Sequence, residues 1–428
     1  MDDGKVVFVE GALPGENVLA DVLRRKASYE LARAAVIRNP SSDRREPQCR
    51  HFSVCGGCVT QYAQTRLQVA AKQRWLEETL ARIGGVTPEV LLPPLYGPEW
   101  GYRHRARLTV RHVSKKGGVL VGFHERRSSF VADMDSCEVL PSGISALIPK
   151  LRVMIDRLSI RDRLPQIEVA VGDEIAALVF RNLAALTTAD EVVLREFGDA
   201  TGVWVWLQPA GPDSAHPFHP VPDPIAGPRL DYTLPEFGLR IAFLPTDFTQ
   251  VNHAMNRALV SRAMYLLDPQ PGERIGDMFC GLGNFSLPIA ARGAEVLGVE
   301  GSKQLVQRAR ENAVGNGLAD KASFTVANLF TVDQAALSGF GRFDKLLIDP
   351  PREGALELVK ALPETGAGGG VERIVYVSCH PATLARDAEV LVKAKGYRLS
   401  AAGIANMFPH TAHVESIALF ERNAERKI

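Results

Sequence analysis

Two side chains capable of nucleophilic or acid–base chemistry follow strongly apolar segments late in this sequence. Asp349 lies within LLIDPPR (346–352), and Cys379 ends YVSC (376–379). Both segments predict buried strands, and the carboxyl ends of neighbouring parallel strands form the edge where ligands bind in α/β folds. Asp349 and Cys379 should therefore face one crevice. A cysteine at a strand end is more often a small apolar side chain, but this location favours a covalent nucleophile.

A glycine-rich turn predicts a cofactor site at the same edge. The segment DMFCGLGNF (277–285) joins a predicted strand to a predicted helix, where glycines let a ligand approach the backbone. Glu300, seventeen residues after Gly283, ends the next strand, where a carboxylate can accept hydrogen bonds from both ribose hydroxyls. The turn lacks the third glycine of G-x-G-x-x-G, so S-adenosylmethionine fits better than a nicotinamide dinucleotide. Cys280 is expected to pack under this turn, without a catalytic role.

Four further cysteines have spacings typical of a metal site. Five residues separate the first two, two residues separate the next pair, and the fourth is distant: Cys49, Cys55, Cys58 and Cys137. Disulfides are rare in the cytosol, so a metal explains the cluster better than disulfide pairing. Four thiolates suit zinc or an iron–sulfur cluster, and the spacing alone slightly favours zinc.

A basic segment is the main candidate for contact with nucleic acid. Residues 102–129 contain eight Lys or Arg and one acidic residue, although the whole chain has a net charge of only +1. Arg103, Arg105 and Arg107 alternate with other residues and should stand on one face of a strand. A solvated strand face is the simpler interpretation, but the neighbouring basic residues favour a surface that contacts RNA phosphates.

The elements that position these residues indicate a multidomain α/β and α+β protein. With 428 residues, the chain exceeds the size that one core usually organises. Short strands predict a small β-barrel over residues 1–45. A helix is expected over 60–83, with Thr60 as its N-cap and an apolar face formed by Tyr62, Leu67, Ala70, Trp75 and Leu80. Residues 46–240 read as a mixed α+β domain, and 241–428 as a doubly wound parallel sheet that ends in an antiparallel pair. No leader or membrane-spanning run is apparent, so a cytoplasmic location is expected.

Several segments together are specific for one family. They are DFTQVN (247–252), the turn 279–285, DPPR (349–352), SC (378–379), PATLARD (381–387), PHT (409–411) and HVE (413–415). In them the sequence resembles the RNA uracil-5-methyltransferases, and the resemblance extends over nearly the whole chain. It implies a Rossmann-like methyltransferase domain with Cys379 as the nucleophile and Glu415 as the general base. The residues it implies for binding S-adenosylmethionine are Gln250, Phe279, Asn284, Glu300, Asn328 and Asp349.

The beginning of the chain resembles one branch of that family. Residues 4–21 are similar to the OB-like RNA-binding barrel called TRAM, shortened at its start, and the four cysteines follow it. This combination resembles the 23S ribosomal RNA enzymes more than the transfer RNA enzymes, which lack both features. The resemblance implies a 4Fe–4S cluster in place of zinc, and 23S rRNA or a ribosome assembly intermediate as the partner. His380 departs from the pattern, because the family usually has Asn there.

The chemistry implied by this resemblance begins with thiolate addition to carbon 6 of uracil, which makes carbon 5 nucleophilic. Carbon 5 then accepts the methyl group, and Glu415 removes its proton so that the thiolate can leave. The resemblance implies a uridine of 23S rRNA at the 1939-type site as the target, with another ribosomal site or transfer RNA as the alternative. A DNA cytosine-5 methyltransferase is disfavoured because Ser378, and not proline, precedes Cys379. A metal-cluster RNA-binding factor with an inactive methyltransferase domain is the non-enzymatic alternative.

Overall fold

The first strands of the chain form an open three-stranded sheet. The structure, a computed structural model, describes residues 4–221, 229–364 and 371–422. Its first strands are Val6–Glu10 (β1), Asn17–Arg25 (β2) and Tyr29–Arg38 (β3). β3 lies between the others, parallel to β1 and antiparallel to β2. The expected barrel, shortened at its start, is not closed in the described residues, because β1 and β2 are edge strands with no further strand beside them. Phe8 and Leu19 consequently remain exposed.

The helix expected over residues 60–83 is present but begins later. The next elements are a helix at Thr65–Thr79 (α1) and a short strand at Val90–Leu91 (β4). Gln64 takes the N-cap position in place of Thr60. On the apolar face predicted for this helix, Leu80 is buried but Trp75 is 49% exposed. The orientation predicted for the helix is therefore wrong.

The middle of the chain forms a mixed α+β layer, as predicted. Its strands are Arg105–Val113 (β5), Gly118–Gly122 (β6), Gln166–Val171 (β7), Ala176–Arg181 (β8), Trp204–Leu207 (β9) and His216–His219 (β10). Its helices are Ser142–Ser145 (α2), Leu147–Asp156 (α3) and Thr188–Thr201 (α4). The strand order is β10-β9-β8-β7-β5-β6. Apolar side chains of α3 and α4 pack with those of the sheet in one core.

An antiparallel hairpin connects the middle layer to the last third of the chain. Its strands are Asp231–Leu234 (β11) and Leu239–Ala242 (β12). It lies where the sequence predicts a boundary near residue 240. Part of the Pro- and Gly-rich stretch before it, residues 222–228, lies outside the described residues.

The last third of the chain is the doubly wound sheet that the sequence predicts. Its strands are Arg274–Met278 (β13), Glu295–Glu300 (β14), Ala322–Val326 (β15), Lys345–Ile348 (β16), Arg373–Ser378 (β17), Tyr397–Ala405 (β18) and Glu415–Arg422 (β19). Its helices are His253–Leu267 (α5), Ser286–Ala291 (α6), Lys303–Gly315 (α7), Gln334–Gly339 (α8), Leu356–Ala361 (α9) and Pro381–Glu389 (α10). The order is β15-β14-β13-β16-β17-β19-β18-β4. β19 runs antiparallel to both β17 and β18.

Part of the middle segment completes this last sheet. β4 pairs with β18 at the edge, and Leu76 and Leu80 pack into the same core as the strands. The chain segment with α1 and β4 is therefore a structural part of the C-terminal unit. None of the helices in the described parts of the chain is long and apolar enough to cross a bilayer.

Candidate active site

Three side chains with acid–base or nucleophilic chemistry meet at the carboxyl edge of the large sheet. Asp349 directly follows β16 and Cys379 directly follows β17. Glu415 begins the antiparallel β19, whose pairing of Ser416 with Ser378 sets Glu415 beside the end of β17. All three line one cavity of about 470 Å³, the catalytic cavity. The prediction that Asp349 and Cys379 face one crevice is confirmed.

The residues expected to bind S-adenosylmethionine line the same cavity. They are Gln250, Phe279, Asn284, Glu300, Asn328 and Asp349. Phe279 follows β13, Glu300 ends β14 and Asn328 follows β15, so successive parallel strands deliver them to one edge. Their individual roles remain predictions.

The glycine-rich turn has a backbone that few side chains tolerate. Phe279 has a left-handed φ of 67°, and Gly281 and Gly283 have φ values of 55° and 95°. A left-handed backbone costs little for glycine but strains other residues. Strain of this kind, as at Phe279, is found often at ligand sites. The Glu300 carboxylate accepts hydrogen bonds from the N–H groups of Gly281 (3.2 Å) and Ser302 (2.9 Å). These bonds orient the carboxylate at the mouth of the turn.

Asn284 is fixed by two residues that sequence reasoning missed. Its amide exchanges hydrogen bonds of 2.9 and 3.0 Å with the amide of Asn256 on α5. The Tyr232 hydroxyl donates a further bond of 2.7 Å to the Asn284 carbonyl oxygen. A buried asparagine among the apolar residues of α5 was the signal for this support.

The thiol and both carboxyl groups of the site favour their neutral forms. Burial, followed by Glu415 and Asp349, raises the pKa of Cys379 to about 11. Burial and Asp349 raise the pKa of Glu415, which is 3% exposed, well above its usual value. Burial and then Asp277 raise the pKa of Asp349 to about 7. The three groups therefore compete for protons within one cavity, which suits acid–base chemistry at neutral pH.

Arg352 supplies positive charge to this cavity. It opposes the rise of the Cys379 pKa, and its Nη2 lies 3.4 Å from Nδ1 of His413. Burial and then Arg352 lower the pKa of His413. Sequence reasoning assigned neither residue a role. A charged side chain directly after two prolines at a predicted ligand edge was a usable signal for Arg352.

Cys280 lines the base of the catalytic cavity and His380 follows Cys379, but neither is assigned a part in the reaction. Cys280 is buried beneath the turn, as expected, and burial raises its pKa well above the usual value. The imidazole of His380 is exposed, and its backbone N–H donates to the Ser378 hydroxyl at 3.1 Å. His380 therefore shapes the turn after Cys379 through its backbone.

The four remaining cysteines line a second cavity of about 300 Å³, the cysteine cavity. They are Cys49, Cys55, Cys58 and Cys137. Burial raises the pKa of Cys58 to about 11 and of Cys137 to about 12. In the described part of the chain, no three His, Cys, Asp or Glu side chains lie close enough to hold a single metal ion. The structure thus brings the four thiols to one cavity without forming a single-ion site.

The three arginines expected to contact RNA do not form one exposed row. Arg103 precedes β5 and lines the cysteine cavity. Arg105 points back into the protein and donates to the Pro245 carbonyl oxygen at 2.6 Å. Arg107 is exposed and forms an ion pair with Glu168. The alternation of β5 is as predicted, but packing against the loop at residue 245 withdraws Arg105 from the surface.

Comparison with known proteins places this geometry in context. A family profile described as tRNA (uracil-5-)-methyltransferase matches residues 238–423. The 23S rRNA (uracil(1939)-C(5))-methyltransferase RlmD of Thiobacillus denitrificans is 64% identical over 420 residues, covering 98% of this chain and 95% of the relative. The protein of the same name from Dechloromonas aromatica is 59% identical, with coverages of 98% and 95%.

A solved structure has the same fold over almost the full length. It is the Pyrococcus abyssi tRNA (uracil-54, C5)-methyltransferase in complex with S-adenosyl-L-homocysteine. The match has a TM-score of 0.69 and 23% identity, covering 97% of this chain and 96% of the other. At this identity the likeness concerns the fold alone.

Proposed function

Because this chain belongs to the uracil-5-methyltransferase family, we propose that it methylates carbon 5 of a uridine in 23S rRNA with S-adenosylmethionine as methyl donor. The proposed target is the uridine equivalent to position 1939, the position for which both relatives are named. The observation that carries the proposal is the shared cavity of Cys379, Asp349 and Glu415 with the expected cofactor residues.

The proposed reaction uses Cys379 and Glu415 in sequence. The Cys379 thiolate adds to carbon 6 of the uracil ring, and the ring electrons move so that carbon 5 becomes nucleophilic. Carbon 5 takes the methyl group from the donor sulfonium, and Glu415 then removes the proton from carbon 5. Loss of that proton expels the thiolate and restores the ring. Burial makes the ionised Glu415 a stronger base than an exposed carboxylate.

Arg352 is proposed to assist the first step. The free cavity favours the neutral thiol of Cys379, so addition requires a source of positive charge near the sulfur. Arg352 is such a group, because it opposes the carboxylates that raise the pKa of Cys379. Its guanidinium would stabilise the thiolate as it forms and as it leaves.

The second cavity is proposed to hold a 4Fe–4S cluster. Four thiol groups line it, and three of the cysteines are buried, which is a donor set that iron–sulfur clusters take. When bound, the cluster would supply iron–thiolate bonds that join residues 49–58 to Cys137. We assign it a structural role in this chain.

RNA is proposed to contact the domains spanning residues 1–45 and 46–240, with 241–428 as the methyltransferase domain, to whose sheet and core β4 and α1 of the middle segment are added. Within the basic segment, Arg107 is the exposed candidate for a phosphate contact. Arg107→Ala should reduce the slope of log affinity against log salt by about 0.7 to 0.9. An unchanged slope would leave Arg107 as a solvated side chain.

The proposed function is tested with purified enzyme, labelled S-adenosylmethionine and RNA transcripts. Transcripts carrying the 1939 region of 23S rRNA should gain 5-methyluridine, and a matched transcript with cytidine at that position should gain none. Naked 23S rRNA and an assembly intermediate, assayed side by side, identify the preferred form. Transfer RNA is the alternative substrate to test, because the matching family profile and the solved structure are both named for transfer RNA methyltransferases. Methylation of transfer RNA but not of the ribosomal transcripts would contradict the proposal.

A further inference from the structure

One loop forms a wall shared by the two cavities. Residues 406–413 form all but the last residue of the connection between β18 and β19. Phe408 and His413 from this loop line the catalytic cavity. Thr411, Ala412 and again His413 line the cysteine cavity. The position of this loop therefore determines the shape of both cavities.

The loop is held by residues from far earlier in the chain. The His410 carbonyl oxygen accepts hydrogen bonds from the N–H groups of Val59 and Thr60, at 2.7 and 3.1 Å. The buried His410 ring stacks on Trp100 with 4.1 Å between ring centroids. The Tyr102 hydroxyl donates to the Pro409 carbonyl oxygen at 3.0 Å. The loop is thus fastened by segments adjoining the cysteine cavity.

Two buried polar residues of α1 make the most demanding of these contacts. Lys72 is 5% exposed, and its Nζ donates to Oδ1 of Asn406 (2.7 Å) and to the Phe408 carbonyl oxygen (2.8 Å). The described residues give this ammonium no carboxylate partner, and burial lowers its pKa to about 8. The Gln68 amide oxygen accepts from the His410 N–H at 2.8 Å. A buried ammonium or amide group is costly without such bonds. Both side chains are therefore stabilised in the core by their bonds to this loop.

The loop borders the end of the catalytic cavity where the reacting groups lie. His413 contacts Arg352, which in turn acts on Cys379. The hydrogen bonds of the Glu300 carboxylate come instead from Gly281 of the glycine-rich turn and from Ser302. Neither partner belongs to the loop 406–413. In the described residues, one long hydrogen bond of 3.3 Å, from the Asn252 amide to the Met407 carbonyl oxygen, joins the loop to the segment that carries Gln250. Displacement of the loop should therefore disturb the target uridine more than the methyl donor.

We infer that Lys72 and Gln68 are positioning residues that hold the loop 406–413 in the shape required by the target uridine. The inference rests on the proposed function. It specifies that α1 affects the binding of the target uridine and not the binding of the methyl donor. It requires no contact between α1 and the substrate. The predicted consequence is a defect in RNA-dependent steps with normal binding of the donor product.

The test compares Lys72→Met with Lys345→Met in the full chain. Lys345 is an equally buried lysine that bonds to the Asp268 carbonyl oxygen and Glu273, and no residue of the loop 406–413 bonds to it. For each variant, kcat and KM for the RNA transcript, the rate of covalent RNA adduct formation and the affinity for S-adenosylhomocysteine are measured. Lys72→Met should lower kcat/KM for RNA by about 10- to 100-fold, with donor-product affinity within about twofold of wild type. Gln68→Leu should show the same pattern more weakly.

Two results would overturn the inference. The first is Lys72→Met with wild-type adduct formation and kcat/KM for RNA. The second is loss of S-adenosylhomocysteine binding in proportion to RNA activity in both α1 variants, because that pattern indicates general destabilisation. Failure of the wild-type enzyme to form 5-methyluridine would instead refute the proposed function, so the two failures are distinguishable.

Discussion

The two cysteine-lined cavities share a wall, yet their thiols have different neighbours. In the catalytic cavity, Cys379 faces the carboxyl groups of Glu415 and Asp349. In the other cavity, burial raises the pKa of Cys58, a hydrogen bond with Gln61 opposes that rise, and the neighbouring thiols Cys55 and Cys49 add to it. A thiol among carboxyl groups is suited to proton transfer and covalent chemistry, whereas four thiols that line one cavity are a donor set for a soft metal. The neighbours of a cysteine, more than its burial, distinguish the two uses.

Of the changes that test the different uses of these thiols, replacement of Cys379 should have the largest effect on activity. Cys379→Ala should abolish both methyl transfer and the covalent protein–RNA species, because carbon 5 is not activated without the thiolate. The measurement uses labelled donor and RNA, with separation on a denaturing gel. Cys280→Ala is the matched control and should retain both products. A retarded band in Cys379→Ala would assign the nucleophile to another residue.

Glu415→Gln should separate the second step from the first. The thiol and the donor site remain, so addition and methylation proceed, but elimination should slow by ~10²–10⁴-fold. A labelled, methylated adduct should accumulate as a retarded band. Release of methylated RNA at the wild-type rate would exclude Glu415 as the base and direct attention to Asp349 or a water molecule.

The second cavity should respond to cysteine replacement by losing iron. Protein purified without air should be brown, with about four irons and four sulfides per chain if one cluster is bound. Cys137→Ser should lose the visible absorption and most of the iron, whereas Cys280→Ser should retain both. Stoichiometric zinc without visible absorption in the wild-type protein would refute the cluster.

The smallest expected effect concerns the carboxyl groups around Cys379. With a pKa of about 11, alkylation of Cys379 by iodoacetamide should increase roughly tenfold per pH unit between pH 7 and 10. Above pH 8 the Asp349 carboxyl is ionised and disfavours the thiolate, so Asp349→Asn should lower the pKa of Cys379 and accelerate alkylation severalfold. Peptide mass mapping identifies the modified cysteine. Glu196→Gln, an exposed change of the same charge, should alter nothing, and equal rates in the two variants would contradict the proposed electrostatics.

Much of the catalytic cavity follows from local sequence patterns. The apolar segments before Asp349 and Cys379 encode neighbouring parallel strands, whose carboxyl ends must share an edge. The glycine-rich turn and Glu300 follow from the same strand–helix alternation. These relations depend on short stretches of chain and on the handedness of parallel crossovers, so the sequence alone predicts them.

The orientation of α1 illustrates where local patterns are insufficient. The sequence predicts Trp75 on the buried face, but that side chain is half exposed and the buried face carries Gln68 and Lys72. A rule that buries apolar residues assigns such polar side chains to solvent. Their partners at residues 406–410 lie more than three hundred positions later in the chain, and no local pattern encodes that contact.

The sequence by itself determined the doubly wound class of the C-terminal sheet, the shared edge of Cys379 and Asp349, and the set of four cysteines. The tertiary structure decided that the first three strands stay open, that Arg105 turns inward to Pro245, and that the loop 406–413 separates the two cavities. The physical reason is range. Periodicity and turns act over a few residues, whereas the burial of a particular polar side chain depends on partners that folding brings together from distant parts of the chain.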